Sequence, residues 1–103
     1  MSTDSARVQL LEALAELHHN NWMQWSKEIS SHLKAQIGAI ELESKLGGAR
    51  MSPESSLIVM QVQDRLARWE SLWIPYSELS DDWKEYDREF ARKAMYIMDW
   101  YAR

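Results

Sequence analysis

An all-α fold of three to four helices, the long first helix packed against the last, is what this sequence predicts, on three observations. Glycine and proline are scarce, three and two in 103 residues, whereas a β-sandwich or barrel needs a turn about every 8–12 residues. Apolar and ring-bearing side chains recur at helical spacing from Val8 onward. Two strings, Ser52-Pro53-Glu54 and Ser80-Asp81-Asp82, combine a capping hydroxyl with an acid in the first turn; the former adds a proline where a helix tolerates one. At 12.2 kDa, with 46% hydrophobic and 27% charged residues, the chain 1–103 has the size and composition of a single globular domain.

The first helix is expected over about 4–46, capped by Thr3 or Asp4. Its stripe runs Val8, Leu11, Ala15, His18, Trp22, Trp25, Ile29 and His32, a heptad-like spacing. Leu10, Leu14 and Leu17 widen it beyond a coiled-coil seam. The stripe fades after Leu33, and Gly38 follows, so a break near 30–38 is expected, with a short second piece ending at Gly47-Gly48. The next helix is expected over 53–72, with Leu57 or Ile58, Val62, Leu66 and Trp69 inward. Pro75 ends it by pushing the preceding residue out of the helical region. The last helix, 80–101, is expected to bury Trp83, Asp87 or Tyr86, Phe90, Ala94, Ile97 and Tyr101. Glu89 and Lys93 are spaced to pair on its exposed side.

Several function classes fall away on composition and motif spacing. The absence of cysteine removes disulfides, thiolate metal sites and a cysteine nucleophile. The net charge is −4. Residues 1–50 hold five Lys/Arg against six Asp/Glu and 51–103 hold seven against ten, so neither half supplies the basic stripe that nucleic-acid binding needs. The longest purely apolar run is LIVM at 57–60, far short of a membrane span, and the opening residues carry no secretory signal. A cytoplasmic protein with no cofactor is expected. His18 and His32 lie about 21 Å apart along one helix, His18 and His19 diverge by about 100°, and no HxxxH pair exists, so no metal site is expected. No G-x-S-x-G turn or glycine-rich phosphate loop occurs, which points away from an enzyme.

The aromatic content is unusual: six tryptophans and four tyrosines beside one phenylalanine. These rings carry a polar handle on a large apolar body and suit binding surfaces as well as cores. His19 and Trp22 share one face of the first helix, Trp69 and Trp73 end the second as an i, i+4 pair, Tyr76 follows Pro75, and Arg88 stands on the last helix beside Asp87. Rings with one guanidinium suit a planar anionic ligand.

The strings LAELHHNNW at 14–22 and WIPYSELSDDWKEYDR at 73–88 resemble the bacterial and phage branch of the ryanodine-receptor repeat domain. That family pairs a helix reading roughly L-A-x-x-x-H-x-x-W with a later V-P-Y-x-x-L-x-x-x-x-K-x-x-D-R. Leu14, Ala15, His19 and Trp22 match the first piece; Ile74, Pro75, Tyr76, Leu79, Lys84, Asp87 and Arg88 match the second, with isoleucine for valine. The family's G-W-x-x-G turn and its K-x-x-P approach are absent, so the chain resembles a divergent phage-type member whose centre is helix. The resemblance implies an all-helical binding module without catalysis, from a family associated in bacteria with nucleotide-derived signals in defence systems.

Two readings of function follow. In the first, His19, Trp22, Trp73, Tyr76 and Arg88 line a pocket for a nucleotide-like small molecule. In the second, a Trp- and Met-rich surface docks on a second copy or on a host protein, as a phage inhibitor of host defence would; a homodimer is expected through Trp25, Ile29 and Leu33. Arg88 is the pivot. It either latches the fold internally, through the Asp87 turn or a carbonyl near Tyr76, or waits for an anion.

Overall fold

A computed structural model describes residues 3–48 and 50–102. Among the described residues there are three helices, α1 (Thr3–Leu46), α2 (Pro53–Glu70) and α3 (Asp81–Tyr101), with a single 3-10 turn at Tyr76–Glu78. The all-α expectation holds, and among the described residues there is no strand.

The expected break in α1 does not occur; the helix is continuous for 44 residues. Gly38 lowers helix propensity but keeps both backbone hydrogen-bonding groups, so its cost of about 1 kcal/mol does not stop the helix. The buried positions of α1 coincide with the heptad stripe at Ala15 and otherwise differ from it. Ala15, His19, Ser26, Ser30 and Ile37 are buried, whereas Val8, Leu17 and Trp25 are more than half exposed. Ala15, Ser26 and Ile37 lie eleven residues apart, a spacing that drifts round the helix in the opposite sense to a heptad. Thr3 and Asp4 are already helical, so the capping position falls outside the described residues. At the other end Gly48 takes φ +68°, the left-handed geometry that ends a helix at glycine without strain.

Ser52 caps α2 as its sequence predicts, accepting from the Ser55 amide at 3.1 Å with Pro53 in the first turn. The helix stops at Glu70 rather than 72. Its exit tightens into three-residue bonds, Leu72 N–H to Trp69 O at 2.9 Å and Trp73 N–H to Glu70 O at 3.2 Å, so Trp73 lies beyond the helix. Ser80 caps α3 by accepting from the Trp83 amide.

The chain divides into two compact units, Met1–Met23 with Ile74–Arg103, and Gln24–Trp73. In the first, the opening half of α1 runs antiparallel to α3, tied by Arg7–Asp99 at one end and His18–Asp87 toward the other. Its core is Ala15, Tyr76, Leu79, Ala91 and Met95, with Ala15 and Ala91 fully buried. In the second, residues 24–46 of α1 and α2 form an antiparallel hairpin. Ile37 and Leu66 are buried there, Trp25 tilts against Trp69 at 5.7 Å, and the Trp73 indole N–H donates to the buried Ser26 hydroxyl at 2.9 Å.

Of the residues expected inward on α3, Asp87 is buried and Ala94 half-buried, but the apolar stripe is not the face that meets α1. Asp87, Ala91 and Met95 are buried, while Trp83, Tyr86, Phe90, Ile97 and Tyr101 are 47–82% exposed. The two stripes differ by roughly a third of a turn. Small Ala91 permits close approach, and Asp87 and Arg88 find polar partners on α1 (below), which outweighs the burial of larger rings.

Replacing Gly38 by alanine tests the continuity of α1. An added Cβ meets nothing within 4 Å, so Gly38→Ala is expected to stabilise the chain by about 0.5–1 kcal/mol in denaturant unfolding. A destabilised variant would mean that the backbone bends there.

Candidate functional site

The polar groups of the first unit converge where α1, the Tyr76 turn and α3 meet. α1 brings Glu12 and His19, seven apart, to one face, with His18 about 100° round the helix. Pro75 and the 3-10 turn present Tyr76, and Ser80 starts α3 so that Asp87 and Arg88 arrive two turns later.

Glu12 is the hub of one half. Its Oε1 accepts from Arg88 Nε at 2.7 Å, and its Oε2 accepts from the Tyr76 hydroxyl. Both contacts favour the carboxylate; the Tyr76 hydrogen bond, then Arg88, holds Glu12 below the usual range of its carboxyl. Tyr76 is displaced the other way: burial, then the Glu12 carboxylate, pushes its phenol up to about 12. The same Glu12 hydrogen bond keeps the Arg88 guanidinium charged more firmly than usual. Arg88 also lies 3.6 Å from Glu85, which in turn pairs with Arg92. Lys84 stands over the Tyr76 ring at 5.5 Å.

Asp87 is the hub of the other half and is only 7% exposed. His18 Nδ1–H donates to its Oδ1 at 2.8 Å, and His19 Nδ1 lies 3.7 Å from its Oδ2. His19 Nε2 is 2.8 Å from the Ile74 carbonyl; a carbonyl only accepts, so Nε2 carries a proton. His19 thereby ties α1 to the segment preceding Pro75. Phe90 stacks on the His18 ring at 4.2 Å.

Of the five residues expected to line a ligand pocket, four belong to this unit. His19 contacts the rings of Trp22 and Tyr76 at 6.0 and 6.4 Å, and Arg88 joins Tyr76 through Glu12. Trp73 belongs to the second unit, bonded to Ser26 and under Lys27 at 5.7 Å. Arg88 pairs within the chain, but its partner is Glu12, not the Asp87 turn or a carbonyl. A concavity of about 380 Å³ in the first unit lies elsewhere, among Arg7, Val8, Leu11, Arg92, Met95 and Tyr96. The residues expected at a dimer interface lie in the second unit: Trp25 is 52% exposed, while Ile29 and Leu33 are half-buried. Among the described residues no cluster of three or more potential metal ligands occurs, and no helix is long and apolar enough to cross a membrane.

Glu12 belongs to no motif that marks it in the sequence. Its signal was positional: it stands three residues before Ala15 and seven before His19, on the face that is buried. Comparison with family models, with curated proteins and with solved structures finds no match for this chain.

Two outcomes check this arrangement. The Arg88 side chain is 22% and that of Glu12 37% exposed, so solvent weakens the pair below the 3–5 kcal/mol that breaking a fully buried one costs. Arg88→Ala is expected to destabilise by about 1–2 kcal/mol in a thermal melt; a variant as stable as the parent would mean that Arg88 does not latch the fold. In an ultraviolet titration, one of the four tyrosines is expected to ionise near pH 12 and the late step to vanish in Tyr76→Phe. A phenol whose value is raised on folding stabilises fully below its ordinary value, about 10, and loses that contribution as pH rises toward 12. Stability is therefore expected to fall across that interval.

Proposed function

We propose that the chain is a non-enzymatic interaction module that docks on another protein, a second copy or a host protein, through the outward face of α3. One observation carries this reading. The apolar stripe of α3, at regular helical spacing, faces solvent, while Asp87 is buried and Arg88 is held against α1. Trp83, Tyr86, Phe90, Ile97 and Tyr101 are 47%, 66%, 47%, 55% and 82% exposed. Scattered apolar residues are ordinary on a surface, but a contiguous aromatic stripe marks an interaction site, and Trp and Tyr dominate binding energy at such sites.

The nucleotide-like ligand has less support. Arg88, the cation that would receive an anion, already holds Glu12 at 2.7 Å, so a phosphate would have to displace a carboxylate hydrogen-bonded to both Arg88 and Tyr76. The paired motifs instead act as a latch, with His19 on the Ile74 carbonyl and Arg88 on Glu12. A phage-type member of the ryanodine-receptor repeat family, directed at a host defence protein, is the biological setting of this proposal and rests on the motif resemblance alone.

A photo-crosslinking residue at Tyr86, with Asp64 on α2 as an exposed control, tests the reading in cells. Protein adducts are expected from position 86 and not from 64, and are expected to be lost with Phe90→Asp. Equal yield at the two positions, or none at either, would sink it.

A further inference from the structure

The proposal that α3 is a docking face leaves its occupant open, and the charges beside the stripe bear on that choice. Projected at 100° per residue, Trp83, Phe90, Ile97 and Tyr101 lie within about 40° of one another, with Tyr86 just beside them. Glu89 and Lys93 border this stripe on the same flank, near its midpoint. Their spacing suits an i, i+4 pair, yet they form none, and neither closes an ion pair within 4 Å among the described residues. The other charges of the helix are largely committed: Asp87 to His18, Arg88 to Glu12, Arg92 to Glu85 and Asp99 to Arg7.

A flank carrying one acid and one base a turn apart is complementary to itself in one orientation only. In an antiparallel helix pair, like flanks face each other. A two-fold axis near residue 91 sets Glu89 beside the partner's Lys93 and Lys93 beside the partner's Glu89. The same operation brings Tyr86 level with the partner's Ile97 to within about one residue, or 1.5 Å. In a parallel pair opposite flanks meet, and the two charges find no counterpart.

The area is adequate as well. At 150–250 Å² per ring, the observed exposures amount to roughly 600 Å² of apolar surface on each copy. A standard interface takes about 800 Å² from each partner, and the stems of Glu89 and Lys93 would make up much of the difference. We infer that the occupant of this face is a second copy of the chain, docked antiparallel through α3 about a two-fold axis between Glu89 and Lys93. The inference rests on the reading of α3 as a docking surface and names its partner. It moves the homodimer contact from Trp25, Ile29 and Leu33 to α3.

Sedimentation equilibrium of the full chain from 1 to about 100 µM tests it, with helix content and melting temperature recorded for each variant. The parent is expected at twice 12.2 kDa at the upper end of that range. Each pairing is then a rim contact of modest strength, but E89K or K93E alone turns two attractions into two repulsions. Each is expected to raise the dimer dissociation constant about tenfold or more. Mixing E89K with K93E restores opposite charges at both contacts and is expected to recover dimers at the parent affinity, as is the double variant. A dimer indifferent to both reversals would overturn the α3 geometry. A parent that stays at 12.2 kDa throughout would overturn self-association. If crosslinks from Tyr86 to a different protein then persist, the docking face stands with another occupant; if they are absent too, both readings fail.

Discussion

The carboxylate of Glu12 is the group on which the first unit turns. It receives Arg88 on one oxygen and the Tyr76 hydroxyl on the other, and so joins three stretches of chain that share no sequence neighbourhood. A charged acceptor between two donors is worth more than a neutral one, and it is costly to leave half satisfied. Once Arg88 must reach α1, the rotation of α3 about its axis is decided. Asp87 then falls under His18, Ala91 and Met95 go inward, and the aromatic stripe is left facing out. The exposed rings are thus a consequence of a polar requirement, not a failure of packing.

The two hydrogen-bonded halves differ in what they anchor. Asp87 with His18 secures one helix to another, whereas His19 reaches past the helices to the Ile74 carbonyl. That bond holds the backbone where Pro75 forbids helix and the chain must turn. Adjacent histidines on one helix, pointing about 100° apart, serve two partners at once, His18 the Asp87 carboxylate and His19 the Ile74 carbonyl.

Much of the fold was legible in the sequence. Ser52-Pro53 and Ser80-Asp81 begin helices, Gly47-Gly48 ends one, and Val62, Leu66 and Trp69 point inward, whereas Leu57 and Ile58, also expected inward, are at least half exposed in the first turns of α2. These are local effects, carried by caps and by spacing within a few turns. The facing of α3 was not legible, because counting apolar residues favours the stripe with more rings. The winning face is defined by an aspartate, an alanine and partners seventy residues away. The buried face of α1 was misread for a related reason: His19, Ser26 and Ser30 are polar and drop out of a hydrophobicity pattern, although small serines suit close contact. Glu12 showed its position but not its role, since a carboxylate on a buried stripe becomes meaningful only when Arg88 and Tyr76 are known to arrive there. The i, i+4 spacing of Trp69 and Trp73 overlooks the tightening of the last turn before Pro75, which leaves both Leu72 and Trp73 beyond α2.

The division of the chain also bears on the order in which it can assemble. Residues 24–73 are contiguous, and their helical hairpin needs only short-range closure, which forms rapidly. The first unit combines segments from either side of that stretch, and its central contact spans 76 residues, from Glu12 to Arg88. The hairpin, which holds Trp73 beside Ser26, shortens that loop and so lowers the entropy cost of closing it. As the chain leaves the ribosome, the opening turns of α1 emerge well before α3 exists to receive them. Leu11, Ala15 and His19 must wait, exposed, for the last fifth of the sequence.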